Sequence, residues 1–286
     1  MRHLLAFIFV LALIPAQAQK VNKKLQQGLE TLTAGFKGDV GVYVKDLHTG
    51  KIASINADSI FPTASMVKVP ILIGIMDKIN RGELNYHQEL TYKDSLFYAG
   101  SDLLASLKHN EKVELSKVMM LMLTTSDNTA SLWLQSLAGT GTRINQILDS
   151  IGYTATRVNS RTPGREANRE KFGWGQTSPK EMVSLFEAIA NRNLFDTASS
   201  EKMLRLLGRN YWDEEAISQI PPDVFVASKN GAVNASRSEV MYVHGKNARY
   251  VFCICTKNNK DTSWELQNEA WELARKLSKL LWETYK

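Results

Sequence analysis

The sequence predicts an α/β protein of the α+β type: an antiparallel five-stranded sheet flanked by helices, interrupted by an all-helical lobe. Three observations point there. Strand-like patterns sit toward the two ends of the chain, the middle from about Ser65 to Leu207 reads almost wholly as helix, and helical patterns open and close the mature chain. The sheet lobe is then assembled from residues 19–62 and 208–286, with 63–207 as the helical lobe of one domain overall.

The first 18 residues stand apart. Arg2 and His3 precede an apolar run from Leu4 to Pro15, and Ala16-Gln17-Ala18 follows. A basic start, a short apolar centre and an A-x-A site make a secretory signal peptide, cut after Ala18. The run is shorter than the roughly 20 residues a spanning helix needs, and no cysteine follows it to carry a lipid. The expected location is periplasmic or secreted, with no stable membrane anchor after cleavage.

Val21, Leu25, Leu29, Leu32 and Phe36 recur at helical spacing, and Gly38 is expected to stop that helix. Val40, Val42 and Val44 alternate as a half-buried strand, and His48-Thr49-Gly50 turns the chain into a second strand at Ile52–Ile55. In the middle, helices are expected from Ser65 to Ile79, Ser116 to Leu123 and Asn128 to Leu137. Another begins at Ser178, where Ser178-Pro179-Lys180-Glu181 combines a capping box with proline at the first helical position. Strands then read at Val224–Ala227, Val240–Val243 and Tyr250–Thr256, separated by Gly231 and by Gly245-Lys246-Asn247. A helix from about Trp264 to Tyr285, with Ala270, Leu273, Leu277 and Leu280 on one side, closes the chain.

Composition narrows the function classes. Of 286 residues, 44% are hydrophobic and 22% charged, which is ordinary for a globular protein. The net charge of +6 is spread along the chain, and nucleic-acid binding would need a concentrated basic stripe. Cys253 and Cys255 leave one face of a strand, so they read as buried small residues and not as a disulfide. Five scattered histidines show no ligand spacing, so neither a metal nor another cofactor is expected. Nothing demands more than a monomer.

Four short segments carry the chemistry. In Ser65-Met66-Val67-Lys68 the i, i+3 spacing puts a hydroxyl and an amine on one helical face. A serine is a poor nucleophile until a neighbour takes its proton, and a lysine can do so once burial depresses its pKa. Ser126-Asp127-Asn128 lies between two apolar helices, where Asp and Asn are also ordinary caps. A loop runs to Thr177-Ser178-Pro179. Lys229-Asn230-Gly231 offers a point charge for an anionic group and a glycine past which a substrate backbone can lie close.

In this order the set resembles the S-x-x-K, S-D-N and K-T-G motifs of penicillin-interacting serine enzymes, whose soluble hydrolytic branch is the class A β-lactamases. The resemblance covers nearly the whole mature chain and implies the fold described above. It makes Ser65 the nucleophile, Lys68 its proton acceptor and Ser126 the proton relay to the leaving nitrogen. Asn128 would hold the substrate's side-chain amide and Asp127 would be structural. Lys229, Asn230 and Gly231 would anchor the substrate carboxylate, with Asn230 where the family has threonine or serine. The N–H of Ala232 would complete the oxyanion hole with that of Ser65. Arg237-Ser238-Glu239 resembles the R-x-D segment and makes Arg237 a second carboxylate ligand.

The loop departs from the family's E-x-x-x-N pattern. Its stretch is Ser160-Arg161-Thr162-Pro163-Gly164-Arg165-Glu166-Ala167-Asn168. The gapless register puts Thr162 on the glutamate position, Glu166 on the asparagine and Gly175 on the loop-latching aspartate. Thr162 cannot act as a base, so Glu166, expected to share a helical face with it, becomes the deacylation base. The resemblance thus leaves three readings. They are a class A β-lactamase acting through a Ser65 acyl-enzyme, a penicillin-binding or D,D-peptidase-like enzyme that deacylates slowly, and a non-hydrolytic β-lactam or peptidoglycan sensor.

Overall fold

The computed structural model describes residues 20–99 and 102–286; the expected signal peptide, 1–18, lies outside the described residues. The chain starts with α1 (Lys23–Thr33), β1 (Asp39–Asp46), β2 (Ile52–Ile55) and β3 (Phe61–Pro62). A 3-10 turn, Ala64–Val67, leads into α2 (Lys68–Asn80). Then come β4 (Glu89–Thr91), β5 (Lys112–Glu114), α3 (Leu115–Thr124), α4 (Asn128–Leu137) and α5 (Thr140–Ser150). They are followed by β6 (Arg157–Val158), α6 (Glu166–Phe172), β7 (Gly175–Thr177), α7 (Pro179–Ala190) and α8 (Thr197–Leu207). Strands β8 (Phe225–Val233), β9 (Ser236–His244) and β10 (Arg249–Lys257) precede the closing helix α9 (Glu269–Tyr285).

The five-stranded sheet forms as expected, antiparallel throughout, in the order β2-β1-β10-β9-β8. Its strands are buried on both faces, not half-buried. Val42, Val44, Phe252 and Ile254 pack against α1 and α9 through Leu25, Leu29, Leu273 and Leu277. The alternate residues Tyr43, Val251, Cys253 and Cys255 join the other core with Met182, Val183 and Phe186 of α7. Each fully buried leucine or phenylalanine contributes about 1.5–3 kcal/mol relative to exposure. The two cysteines are free and share one face, with Sγ atoms 3.7 Å apart.

Several boundaries move for physical reasons. Helix α1 ends at Thr33 because Gly35 takes a left-handed φ of +114°; Val21 lies ahead of it, bridged to Ile52, and Phe36 beyond it. Gly231 does not separate strands but lies inside β8, and the hairpin turns at Asn234, whose φ is 37°. Trp264 precedes α9, whose N-cap is Asn268. Within the helical stretch, α7 covers the sheet, and β4 pairs with β5 while β3, β7 and β6 form a small sheet. Ser178 caps α7 by accepting the Glu181 N–H at 3.2 Å, but the Glu181 carboxylate turns away to accept the N–H groups of Thr154, Ala155 and Thr156. Among the described residues no helix is long and apolar enough to cross a membrane. The consequence for the site is that β8 is an edge strand, and its free edge faces the turn that bears Ser65.

Candidate active site

Ser65 sits in the 3-10 turn and not in the first α-helical turn. Met66 and Val67 pin the turn into the core, and Ala64, at φ 45°, carries a backbone strain that alanine rarely tolerates. On the other side, β8 presses against it. A β-carbon on Gly231 would lie 2.6 Å from both Ser65 N and Thr63 O, so only glycine fits. From β9, the Ser238 hydroxyl donates to Thr63 O at 2.9 Å and fastens the strand pair to the turn. Pro70 falls within the first turn of α2, where no intrahelical N–H is missed.

Lys68 is fully buried, and its Nζ lies 3.1 Å from Ser65 Oγ, 2.9 Å from Ser126 Oγ, 2.8 Å from Asn128 Oδ1 and 2.5 Å from Ser126 O. The carbonyl oxygens of Ser126 and Asn128 can only accept. A neutral amine gives them its two N–H groups and keeps its lone pair for a serine hydroxyl. Burial holds the Lys68 ammonium well below the usual lysine range, and the Lys229 charge pushes the same way against Asp102 and Asp127. Ser126 itself is left-handed, φ 60°, between α3 and α4. Asp127 explains how that is held: one carboxylate oxygen caps α4 at Ala130 N (2.7 Å) and the other accepts Leu104 N (2.8 Å). Both of its carboxylate oxygens are thus spent on backbone N–H groups.

Lys229 is also buried, and burial pushes it down to about 7 against the pull of Glu239 and Glu215. Its Nζ donates to Asn230 O at 2.9 Å and Oδ1 at 3.2 Å. The Asn230 amide uses its acceptor on Lys229 and turns its Nδ2 toward Glu215 Oε2, 3.5 Å away. Behind it Glu239 is buried and pushed up to about 8 by burial and by Glu215, with one oxygen accepting Ala216 N. A cleft of about 840 Å³ joins Ser65, Ser126, Asn128, Asn230, Gly231 and Ala232.

Two expected members are not brought there. Arg237 pairs with Ala232 in the hairpin but points to the opposite face from Ser238. Its guanidinium lies against the rings of both Trp264 and Trp271, at 4.6 and 4.7 Å, and donates to the carbonyls of Asn234, Ser236 and Ser263, so these contacts hold it away from the cleft. Glu166 is the exposed first residue of α6, and its carboxylate accepts the Gly164 N–H at 3.1 Å. Thr162 precedes α6, so the two share no helical face. It is buried against α5, where a β-carbon on Gly141 would lie 1.8 Å from its Oγ1. The loop closes on itself through Arg165 to Asn159 and Gln176, and Asn168 to Gln176.

Sequence reasoning gives no role to Glu215 or the aromatic residues of the cleft wall, and none to Glu239 beyond its place in the R-x-D-like segment. The run Tyr211-Trp212-Asp213-Glu214-Glu215, aromatic then acidic, is a signal for Tyr211, Trp212 and Glu215.

A profile of the β-lactamase enzyme family matches residues 23–285. The chain belongs to that family. Among its relatives is β-lactamase VEB-1 of Pseudomonas aeruginosa, 21% identical over 99% of this chain and 96% of that protein. A β-lactamase of Streptomyces fradiae is 25% identical over 73% and 69%. Among solved structures, PBP-A superposes with a TM-score of 0.82 at 23% identity, covering 93% of this chain and 97% of that one. A β-lactamase from Sphaerobacter thermophilus gives 0.80 at 20%, covering 92% and 97%. At these identities the structural likenesses speak to the fold.

Proposed function

We propose that the protein is a serine acyl-enzyme of the penicillin-interacting type, which opens β-lactams with Ser65 and clears the resulting ester slowly. The observation that carries this is the Lys68 amine, buried and bounded by Ser65 Oγ, Ser126 Oγ and two carbonyl-type oxygens. Ser65 Oγ attacks the lactam carbonyl and gives its proton to neutral Lys68. The N–H groups of Ser65 and Ala232 hold the oxyanion. As the C–N bond breaks, Ser126 protonates the leaving nitrogen and is reprotonated by Lys68. Lys229 and Asn230 anchor the substrate carboxylate, and Asn128 positions the acyl side chain. The apolar start of the chain argues for export, and peptidoglycan peptides are the natural counterpart of such a substrate.

Slow clearance follows from the loop. Among the described residues no carboxylate bonds to Ser65 or Lys68, and Glu166 faces Gly164, so the ester lacks a base to activate water. Family membership favours the second reading, a β-lactamase with fast turnover. Incubating the protein with a chromogenic cephalosporin while following hydrolysis and covalent mass separates them. A burst with a persistent adduct of one acyl group is expected. Continuous turnover without a persistent adduct would install the second reading, and neither turnover nor adduct would sink both in favour of a non-acylating sensor.

A further inference from the structure

The mouth of the cleft carries residues that acyl transfer does not use. Tyr211 and Trp212 stand on one wall, their rings 5.2 Å apart and edge-on. They are tied beside Ser126, because Tyr211 N donates to Thr124 O at 2.9 Å and Trp212 Nε1 donates to Thr125 O at 3.0 Å. Trp264 and Trp271 form part of the same lining, with ring centroids 6.0 Å apart. Tyr211 is 67% exposed, Trp264 64% and Trp212 44%. Several large aromatic surfaces left open around one cleft mark a place that a ligand covers.

Charge says which ligand. Glu214 and Glu215 line the same mouth; Lys229, Arg237 and Arg275 already act on Glu215, which also accepts from Asn230 Nδ2, whereas Glu214 is exposed and among the described residues pairs with no cation. Arg275 is there too, but its guanidinium is turned to Leu266 O. Trp264 and Trp271 already carry one cation, the buried Arg237 guanidinium, which lies against both rings at 4.6 and 4.7 Å.

We infer that this end of the cleft binds a cationic group of the substrate, an ammonium or pyridinium laid on the aromatic faces with Glu214 as its counter-charge. Its orientation rests on the acyl-transfer reading. Ser126 protonates the leaving nitrogen, so whatever that nitrogen carries runs past Ser126 toward Tyr211 and Trp212. The preferred substrate is then a zwitterion, with a carboxylate at Lys229 and a cation beyond it.

Two measurements on the mature chain test this. In the first, the Ser65→Ala variant is titrated with choline and with its uncharged carbon analogue, 3,3-dimethylbutan-1-ol, following the methyl protons by NMR. Choline should bind about tenfold tighter, and Glu214→Gln and Trp212→Leu, both at exposed positions, should each cut that preference several-fold. Equal binding of the two probes, or a choline preference untouched by both substitutions, overturns the inference. In the second, two cephalosporins with one acyl side chain, one bearing a quaternary ammonium on the leaving-group side and one a neutral acetoxy group, are compared for adduct formation. The cationic compound should acylate Ser65 about tenfold faster; equal rates overturn the inference. If neither compound acylates while choline is still preferred, the acyl-enzyme reading fails and the cation site stands.

Discussion

Gly231→Ala probes the contact on which the site depends. The new β-carbon would lie 2.6 Å from Ser65 N and 2.6 Å from Thr63 O, both backbone atoms, and 3.0 Å from Ala64 Cβ. An ordinary contact begins near 3.4 Å, so β8 and the Ser65 turn must part by about 0.8 Å. Neither side yields readily: the turn is pinned by Met66 and Val67, and Ser238 ties β9 to Thr63 O. A gap of that size pulls the edge strand away from the Ser65 carbonyl-binding position, and a misplacement near 1 Å costs roughly 100-fold in rate. Overpacking adds about 1–3 kcal/mol of destabilisation, or several degrees in Tm. The assay is the second-order rate of penicillin adduct formation by intact mass, with Tm by calorimetry. Gly28→Ala is the control, since its β-carbon meets only the flexible end of Leu280 at 2.8 Å between α1 and α9. Gly231→Ala acylating within twofold of the parent would refute the claim that this close approach builds the site.

Other variants test the electrostatics and the loop. Because burial lowers Lys229 to about 7, its charge is present below that pH and fades above it; KM for an anionic β-lactam should rise with pH above about 7, and Lys229→Arg should move that limb upward. On the acid side acylation should climb as Lys68 sheds its proton, and Lys68→Met should abolish it over the whole range. Glu239 is raised from 4.5 to about 8, so the folded state holds its proton more tightly than the unfolded. Its stabilising share is complete below 4.5 and is lost between there and 8. At 1.36 kcal/mol per pH unit that is on the order of 5 kcal/mol. Glu239→Gln, which cannot ionise, should therefore gain over the parent in denaturant unfolding at pH 8.5 and match it at pH 4. Glu166→Gln should leave adduct lifetime within twofold, since its carboxylate sits on Gly164 N; a marked lengthening would restore it as the deacylation base.

Local spacing made much of this legible, and strand phase set its limit. The i, i+3 pair Ser65 and Lys68 does meet, and α4 runs from Asn128 to Leu137 as its pattern indicates. Gly231 was read as a break because glycine weakens a strand, yet it lies in one so that another backbone can come close. Arg237 was misplaced because a motif match carries no phase: pairing Gly231 with Ser238 and Ala232 with Arg237 sends the serine to Thr63 and the arginine to the tryptophans. That register depends on the turn at Asn234, which nothing in the R-x-D likeness specifies. Glu166 failed for a similar reason. The helix that would have put it over Thr162 starts only at Glu166, an acidic residue suited to a helix N-terminus.

The two halves of the site also differ in what holds them. Ala64 and Ser126, both left-handed without being glycine, flank Lys68, and such strain persists only where surrounding structure over-determines it. That structure is present: every residue of α2 from Lys68 to Met76 is buried, and Asp127 closes both α4 and the Leu104 turn. The loop from 159 to 176 meets the Ser65 turn at its far end, where Gly175 O accepts the Thr63 N–H at 3.0 Å, but among the described residues it brings no carboxylate to Ser65 or Lys68. Several of its polar side chains satisfy one another, Arg165 and Asn168 both ending on Gln176; of its buried hydroxyls, Thr162 donates to Ser160 O and Ser160 to Gln135 Oε1 of α4. A loop whose hydrogen bonds are spent on itself, on α4 and on the Thr63 backbone is stable without setting a carboxylate beside the serine. On the proposed reading, the groups that would form the ester are rigidly held, while among the described residues no carboxylate stands ready to hydrolyse it.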